Sequence, residues 1–458
     1  MDSYLDIRAY LESFIPPAHL RFPKERGLAR MKELLRLLDN PHLAYPTVHV
    51  AGTSGKGSTA TLIAHLLTHA GYKTGLTISP HLQVINERIQ VNGQMISVEK
   101  LSSMVGSIEP VIAKLTESEL GKPTYFEILL ALAFMHFAKE KVDIAVVEAG
   151  LGGSWDGTNV VAPLVGVLTN VGLDHTEILG PTVEDIAKDK AGIIKPGMTV
   201  VSGVEQESVQ NILIANCKLT NCELKLLGRD FQVDIHQVKD YGSTFDFKMG
   251  ERAFSNLSLA LVGKHQVTNA AVALAVVFTL SKQGFSVSDA QVRSALTTAK
   301  FPGRLEVIQI YPRVLLDGAH NPDKIKVLLE SLSLFPTWRS RWIGVVAFKK
   351  DKPVKEMLEL LLPHMRLLIA TEFSQVTDVG GGLTVPAKEI YAIACSIRSR
   401  KVKGRGKTFP IPNPQEGLKA AEEAAGSTGA IVVTGSLYLV GEIRERWHPM
   451  EELLHVAR

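Results

Sequence analysis

Cysteine is scarce in this chain. Three residues in 458, Cys217, Cys222 and Cys395, are too few for a disulfide framework and show no metal-ligand spacing, so they read as thiols of a reducing compartment. Long apolar runs are lacking as well. The longest, Ala270 to Leu280, falls far short of the roughly 20 residues a bilayer-spanning helix needs, which excludes a membrane-embedded helical protein. Met1-Asp2-Ser3-Tyr4 shows no basic stretch leading into an apolar one, so no signal peptide is expected and the cytoplasm is the expected location. Nor is there an excess of one charge. Fifty Lys and Arg against 47 Asp and Glu leave a net +3, too little for a dedicated nucleic-acid binder. What remains, 45% hydrophobic and 21% charged, is the composition of a globular enzyme long enough for two or three domains.

What the chain does have is a glycine-rich turn between a β-branched run and an amphipathic segment. Pro46-Thr47-Val48-His49-Val50-Ala51 predicts a strand, Gly52-Thr53-Ser54-Gly55 a turn, and Lys56 the start of a helix. Leu62, Ile63, Leu66, Leu67 and Ala70 fall on one face of that helix, and Gly71 is a stop. Strand, turn and helix N-terminus make an anion site: backbone N–H groups converge on a phosphate, the helix dipole assists, and Lys56 adds a full charge. Ser58 or Thr59 would offer a hydroxyl to phosphate or Mg²⁺. The general P-loop pattern wants a glycine where Val50 stands and a hydroxyl where Gly57 stands, so this loop is a variant.

Two helical stripes precede the loop: Leu5, Ile7, Tyr10, Leu11 and Phe14, then Leu28, Met31, Leu34, Leu35 and Leu38. After it, Lys73 to Ile78 predicts a strand ending in Ser79-Pro80-His81-Leu82, with Asn86-Glu87-Arg88-Ile89 beyond. A helix is expected around Val98 to Leu115, and another opens at Thr124-Tyr125-Phe126-Glu127 and runs to Phe137; taken alone, its aromatics read as core. Val142 to Val147 is a continuous apolar run of buried parallel-strand type, and it delivers Glu148 at its carboxyl end. Ligand crevices in open α/β sheets lie there, so Glu148 beside a phosphate loop is placed to hold Mg²⁺ on ATP through oxygen. Further strands are expected at Val165 to Thr169 and, short and antiparallel, between Leu224 and Leu261. Phe301-Pro302-Gly303-Arg304 marks the domain boundary, and a second strand–helix alternation follows, with strands near 314–316, 343–348, 367–370 and 431–433.

The loop variant G-T-x-G-K-G-S, "SPHL", "NERI", "TYFE", Gly152-Gly153-Ser154-Trp155-Asp156-Gly157-Thr158-Asn159, "LDH" at 173–175, "DKAGIIK" at 189–195, "PGRLE" at 302–306, "DGAHNP" at 317–322 and Thr434-Gly435-Ser436 together resemble the folylpolyglutamate and dihydrofolate synthase branch of the Mur ligase superfamily. The resemblance implies an N-terminal P-loop ATPase-type domain (residues 1–300) with a mostly parallel sheet and a small antiparallel extension. A smaller Rossmann-like α/β domain (301–458), the glutamate-ligase part, completes the fold. It implies that Gly52, Thr53, Ser54, Gly55, Lys56, Gly57, Ser58, Thr59, Asn269, Arg304 and Asp317 bind ATP, with Asn269 at adenine and Arg304 at the phosphates. Ser79, Glu148 and His175 would hold Mg²⁺; Lys190, if carbamylated by CO₂, would help hold a second metal ion, and K⁺ is a further candidate. Lys56, Lys190, Asp317 and His320 would carry catalysis, and Arg88, Phe126, Asp156, His320 and Ser436 would face folate or glutamate. Two positions depart from the family's "GGRxDATN": Ser154 stands for arginine and Gly157 for alanine or serine.

The implied reaction adds L-glutamate to a folate or pteroate carboxylate through an acyl phosphate, releasing ADP, in a monomer without nucleic-acid or membrane partners. The alternatives are a peptidoglycan amino-acid ligase, disfavoured by the fewer than fifty residues before Pro46, and a non-catalytic ATP-binding relative. The basic stretch Arg398 to Lys407 reads first as a mobile solvated loop; the sharper alternative is that Arg400, Lys401, Lys403 and Arg405 attract an anionic polyglutamate tail.

Overall fold

A computed structural model describes residues 3–17, 23–335, 342–374, 378, 383–400 and 406–456. Lys401, Lys403 and Arg405 of the basic stretch, and the side chain of Arg400, lie outside the described residues. Arg398 is described: its guanidinium donates to Thr408 Oγ1 at 3.2 Å and to the Lys407 carbonyl at 3.3 Å, tying down a sheet edge.

Among the described residues the strands form three sheets. The first takes β1 (Thr47–Ala51), β2 (Thr74–Thr77), β3 (Ile89–Val91), β4 (Gln94–Met95), β5 (Ile144–Glu148), β6 (Pro163–Leu168), β7 (Thr199–Ser202) and β8 (Glu223–Leu226) in the order β4-β3-β2-β5-β1-β6-β7-β8. From β2 to β8 every pairing is parallel, whereas at the other edge β2–β3 and β3–β4 pair antiparallel. Every residue of β1 and β5 is buried, as apolar strands covered on both faces must be. The register sets Val50 against Glu148 and Ala51 against Leu168, so the ends of β1, β5 and β6 open onto one crevice.

The expected antiparallel extension is β9 (Phe231–Lys239), β10 (Gly242–Met249) and β11 (Arg252–Leu259). The alternation read from Leu224 onward begins too early, because Glu223–Leu226 pairs parallel with β7 and belongs to the main sheet. The apolar run at 270–280 is the body of helix Lys264–Leu280, buried from Val267 to Leu280 except at Thr268, where it packs on helix Lys56–His69 and the antiparallel sheet. Leu5, expected in the first stripe, is 59% exposed; the buried face of that helix is Tyr4, Ile7 and Leu11.

The second lobe is a six-stranded sheet in the order β12-β13-β17-β14-β15-β16, with β12 (Glu306–Gln309), β13 (Arg313–Leu316), β14 (Trp342–Val346), β15 (Met365–Ala370), β16 (Lys407–Pro410) and β17 (Ala430–Thr434). Only β12 is antiparallel. Its switch point, β13 beside β17, opens on residues 317–321 and 435–437, facing the crevice of the first sheet.

Candidate active site

A cleft of about 970 Å³ lies between the two sheets. Its floor is the glycine turn after β1. Gly52 holds φ 151° and Gly55 φ 79°, a left-handed helix cap; a Cβ on Gly55 would stand 2.4 Å from Asn269 Oδ1, so only glycine fits. Ser54 N–H donates to Asn170 Oδ1 at 2.7 Å, and Thr169 Oγ1 donates to the Ser54 carbonyl at 2.6 Å, which pins the turn to the end of β6. Lys56 is the first residue of helix Lys56–His69, as expected, and Gly52 to Ser58 line the cleft. Thr59 does not: it is fully buried behind the turn and its hydroxyl has no partner among the described residues.

Glu148 closes one wall. Its Oε2 accepts the Ser79 N–H at 2.9 Å, and both carboxylate oxygens lie 3.5 Å from where a Cβ on Gly57 would sit. Burial raises its carboxyl above the ordinary value, with Lys56, the Ser79 N–H and Arg304 offsetting part of the effect. A buried carboxylate flanked by Ser79 and facing the phosphate loop suits an oxygen-seeking cation that keeps phosphate and water among its ligands. His175, in left-handed backbone at φ 51°, also lines the cleft, next to Asp174. Among the described residues no three His, Cys, Asp or Glu side chains converge as a ready-made metal site. Lys190 lies in the last turn of helix Val183–Ala191; its Nζ donates to the Gly52 carbonyl at 2.9 Å, and burial, reinforced by Lys56, lowers its pKa from 10.5 to about 7.

The opposite wall comes from the segment after residue 300. The Arg304 guanidinium lies 5.6 Å from the Phe301 ring centroid and its pKa is lowered by burial, with Asp317 and Glu148 acting against that. Asp317 accepts N–H groups of Leu305 (3.0 Å) and Ala319 (2.9 Å), and burial raises its carboxyl. His320 shares Nδ1 with the Gly318 carbonyl at 2.8 Å. Ser436 caps the helix Leu437–Arg444, accepting from Tyr438 N–H at 3.2 Å. Asn269 lies in the second turn of its helix, its Nδ2 donating to Gln266 Oε1 at 3.1 Å.

On the far side Phe126 lines the cleft against Gly150 and Gly157, whereas Tyr125 is core. Asp156 also lines it, yet both its oxygens serve the backbone: Oδ2 takes the Leu151 N–H at 2.7 Å, and Oδ1 takes the Thr158 N–H at 2.9 Å along with the Thr158 hydroxyl. Arg88 is not on the wall. It is 3% exposed, behind Asp378, with Nη2 donating to Asp378 Oδ1 and Nε donating to His81 Nδ1 at 2.8 Å. Asp378 takes the place in the lining that the sequence assigned to Arg88.

Residues 50–277 match the family model for a Mur ligase middle domain, and 306–446 match that for a dihydrofolate synthetase C-terminal domain. The chain is 36% identical to the dihydrofolate synthase/folylpolyglutamate synthase of Bacillus subtilis, over 97% of this chain and 99% of that protein. It is 33% identical to the folylpolyglutamate synthase of Lacticaseibacillus casei, over 97% and 98%. The solved folylpolyglutamate synthase of Mycobacterium tuberculosis, complexed with ADP, superposes with a TM-score of 0.86 at 29% identity, covering 97% of this chain and 98% of that one. The chain belongs to the dihydrofolate and folylpolyglutamate synthase family. A synthase of this family needs nucleotide, acid and amine in one place, and the cleft is the place where its two lobes meet. The peptidoglycan-ligase alternative loses its footing, since the C-terminal match and the relatives aligned over nearly the whole chain are folate ligases.

Sequence reasoning missed several lining residues of this synthase: Trp155, His265, Lys324, Lys349, Lys352 and Asp378. Trp155 and Lys324 sit inside or just past quoted motifs, so proximity could have flagged them. Asp378 had no local signal.

Proposed function

We propose that the cleft joins L-glutamate to the carboxylate of a folate or pteroate at the cost of ATP. One observation carries the reading: the phosphate loop with Lys56 and the strand-end Glu148 share a single cleft with Arg304, Asp317 and His320 of the other lobe. The substrate carboxylate attacks the γ-phosphorus, ADP leaves, and the resulting acyl phosphate is opened by the glutamate amine, giving amide, phosphate and a proton. Such transfer depends on positioning and charge neutralisation, which the loop N–H groups, Lys56 and Arg304 supply. Glu148, Ser79 and His175 would hold Mg²⁺, which neutralises charge on the phosphates. Lys190, whose lowered pKa leaves much of it as free amine near neutral pH, is suited to carbamylation and so to a second metal ion; K⁺ is a further candidate. Phe126 and Asp156 would flank the pterin, His320 and Ser436 the glutamate.

Support for the substrates comes from relatives. A solved FPGS–AMPPCP–folate complex superposes with a TM-score of 0.79 at 31% identity, covering 97% of this chain and 100% of that one. We take residues 1–300 and 301–458 as the functional units, and place the synthase in the cytoplasm as a monomer; no described helix is long and apolar enough to cross a membrane. ADP release should require L-glutamate together with a pteroate or folate, and ATP turnover independent of both would overturn the proposal. Side-by-side turnover of dihydropteroate and tetrahydrofolate separates first glutamylation from tail extension.

A further inference from the structure

Positive charge crowds one end of the cleft. Lys56 and Lys190 reach it from the first lobe, and Arg304, Lys324 and Lys352 from the second. Glu148 acts on Lys56 and Arg304, and Asp317 on Arg304. Asp174 is shared: its Oδ2 lies 3.8 Å from Lys324 Nζ, and its Oδ1 lies 3.4 Å from Lys352 Nζ. One carboxylate thus serves two ammonium groups, in a place where unpaired charge is expensive.

Lys324 is the member of this group whose position is hardest to explain by folding. It stands in the first turn of helix Pro322–Leu332, where a cation opposes the helix dipole. Its Nζ donates to His320 Nε2 at 3.0 Å while His320 Nδ1 faces the Gly318 carbonyl, so the imidazole takes one of three ammonium N–H groups. The side chain keeps 23% of its surface, and it lines the cleft. Lys56 and Arg304 are both close enough to repel it, and burial with that repulsion brings its pKa from 10.5 to about 7.

Resting on the ligase reading above, we propose that Lys324 is a ligand for the terminal phosphate of the bound nucleotide, delivered by the second lobe, with Asp174 as the counter-charge that holds it until the nucleotide arrives. The neighbours select the anion. Lys56 belongs to the phosphate loop and Arg304 to the segment joining the lobes; both line the same cleft as Lys324 and act on it electrostatically, so the anion that the three cations suit is the phosphate end of the nucleotide.

The test is nucleotide affinity, which does not depend on turnover. Wild type, Lys324→Met and Lys324→Arg are titrated with ADP and with AMPPCP, whose terminal phosphate cannot be transferred. Lys324→Met should bind AMPPCP at least 10-fold more weakly with ADP affinity kept within about 2-fold, and Lys324→Arg should recover most of the loss. Equal affinities for AMPPCP in wild type and Lys324→Met, or parallel losses for both nucleotides, would overturn the proposal. So would a defect confined to the KM for glutamate. If wild type itself fails to bind AMPPCP, it is the ligase reading that falls.

Discussion

Arg88 Nη2 donates to Asp378 Oδ1 at 2.5 Å, and this pair joins the lobes across 290 positions of sequence. The guanidinium is buried, lies 5.4 Å from the Tyr125 ring centroid, and is answered by His81 as well as by Asp378. Removing the carboxylate strands a buried cation. Asp378→Ala should lower stability to urea by about 3 kcal/mol, the low end of what breaking a buried pair costs because Asp378 keeps 25% of its side-chain surface. Asp378→Asn, which still accepts a hydrogen bond, should lose markedly less; equal losses would argue that charge is not what matters there.

Glu148 has two tasks that one substitution separates. In Glu148→Gln the amide oxygen can still accept the Ser79 N–H, so the thermal midpoint should stay close to wild type. The negative charge is gone, and turnover should fall by about 10²–10³, the scale seen when a single preorganised electrostatic contact is removed. Retained turnover at saturating Mg²⁺ would remove Glu148 from the metal site.

Lys190 offers a spectroscopic reading. Its amine, held at about 7 by burial and by Lys56, is largely unprotonated above neutral pH, which is the form that adds to CO₂. Enzyme equilibrated with ¹³C-bicarbonate at pH 8 should show a carbamate resonance that is missing from Lys190→Gln. An identical spectrum from the variant would place any carbamate elsewhere.

Gly157 leaves slack beside the aromatic wall. A Cβ there would meet Phe126 Cε1 at 3.5 Å and Leu130 Cδ2 at 3.6 Å, ordinary contact distances. Gly157→Ala should therefore fold normally, within about 1 kcal/mol of wild type, while changing the ratio of dihydropteroate to tetrahydrofolate turnover. Ser154, the other departure from the family pattern, uses its hydroxyl to donate to the Asp189 carbonyl at 2.9 Å and braces the end of the helix that carries Lys190.

His49 makes stability depend on acid. It is fully buried in β1, with Nε2 2.8 Å from Thr158 Oγ1, and burial lowers its pKa from 6.5 to about 3. Between those values the unfolded chain binds the proton and the folded chain does not, so stability falls as pH drops from about 6.5 toward 3. The slope from this one group approaches about 1.4 kcal/mol per pH unit. His49→Gln should flatten urea midpoints measured across that range; an unchanged slope would assign the acid sensitivity to other groups such as His81, which burial also lowers to about 3.

The sequence by itself determined the local devices. A glycine turn followed by Lys56, an apolar strand ending at Glu148, and a second strand ending in Asp317 are each written in a dozen consecutive residues. Backbone preference and burial periodicity act over that range. The same is true of the paired α/β sheets, whose strands are apolar runs of fixed length. Only the tertiary structure decided which polar side chains reach the cleft. Arg88 is withdrawn behind Asp378, Thr59 is turned inward, Asp156 spends its oxygens on backbone, and Lys324 and Lys352 converge on Asp174 from about 150 and 180 residues away. The physical reason is that a buried charge must find its counter-charge wherever the fold brings one, and no local pattern records that meeting.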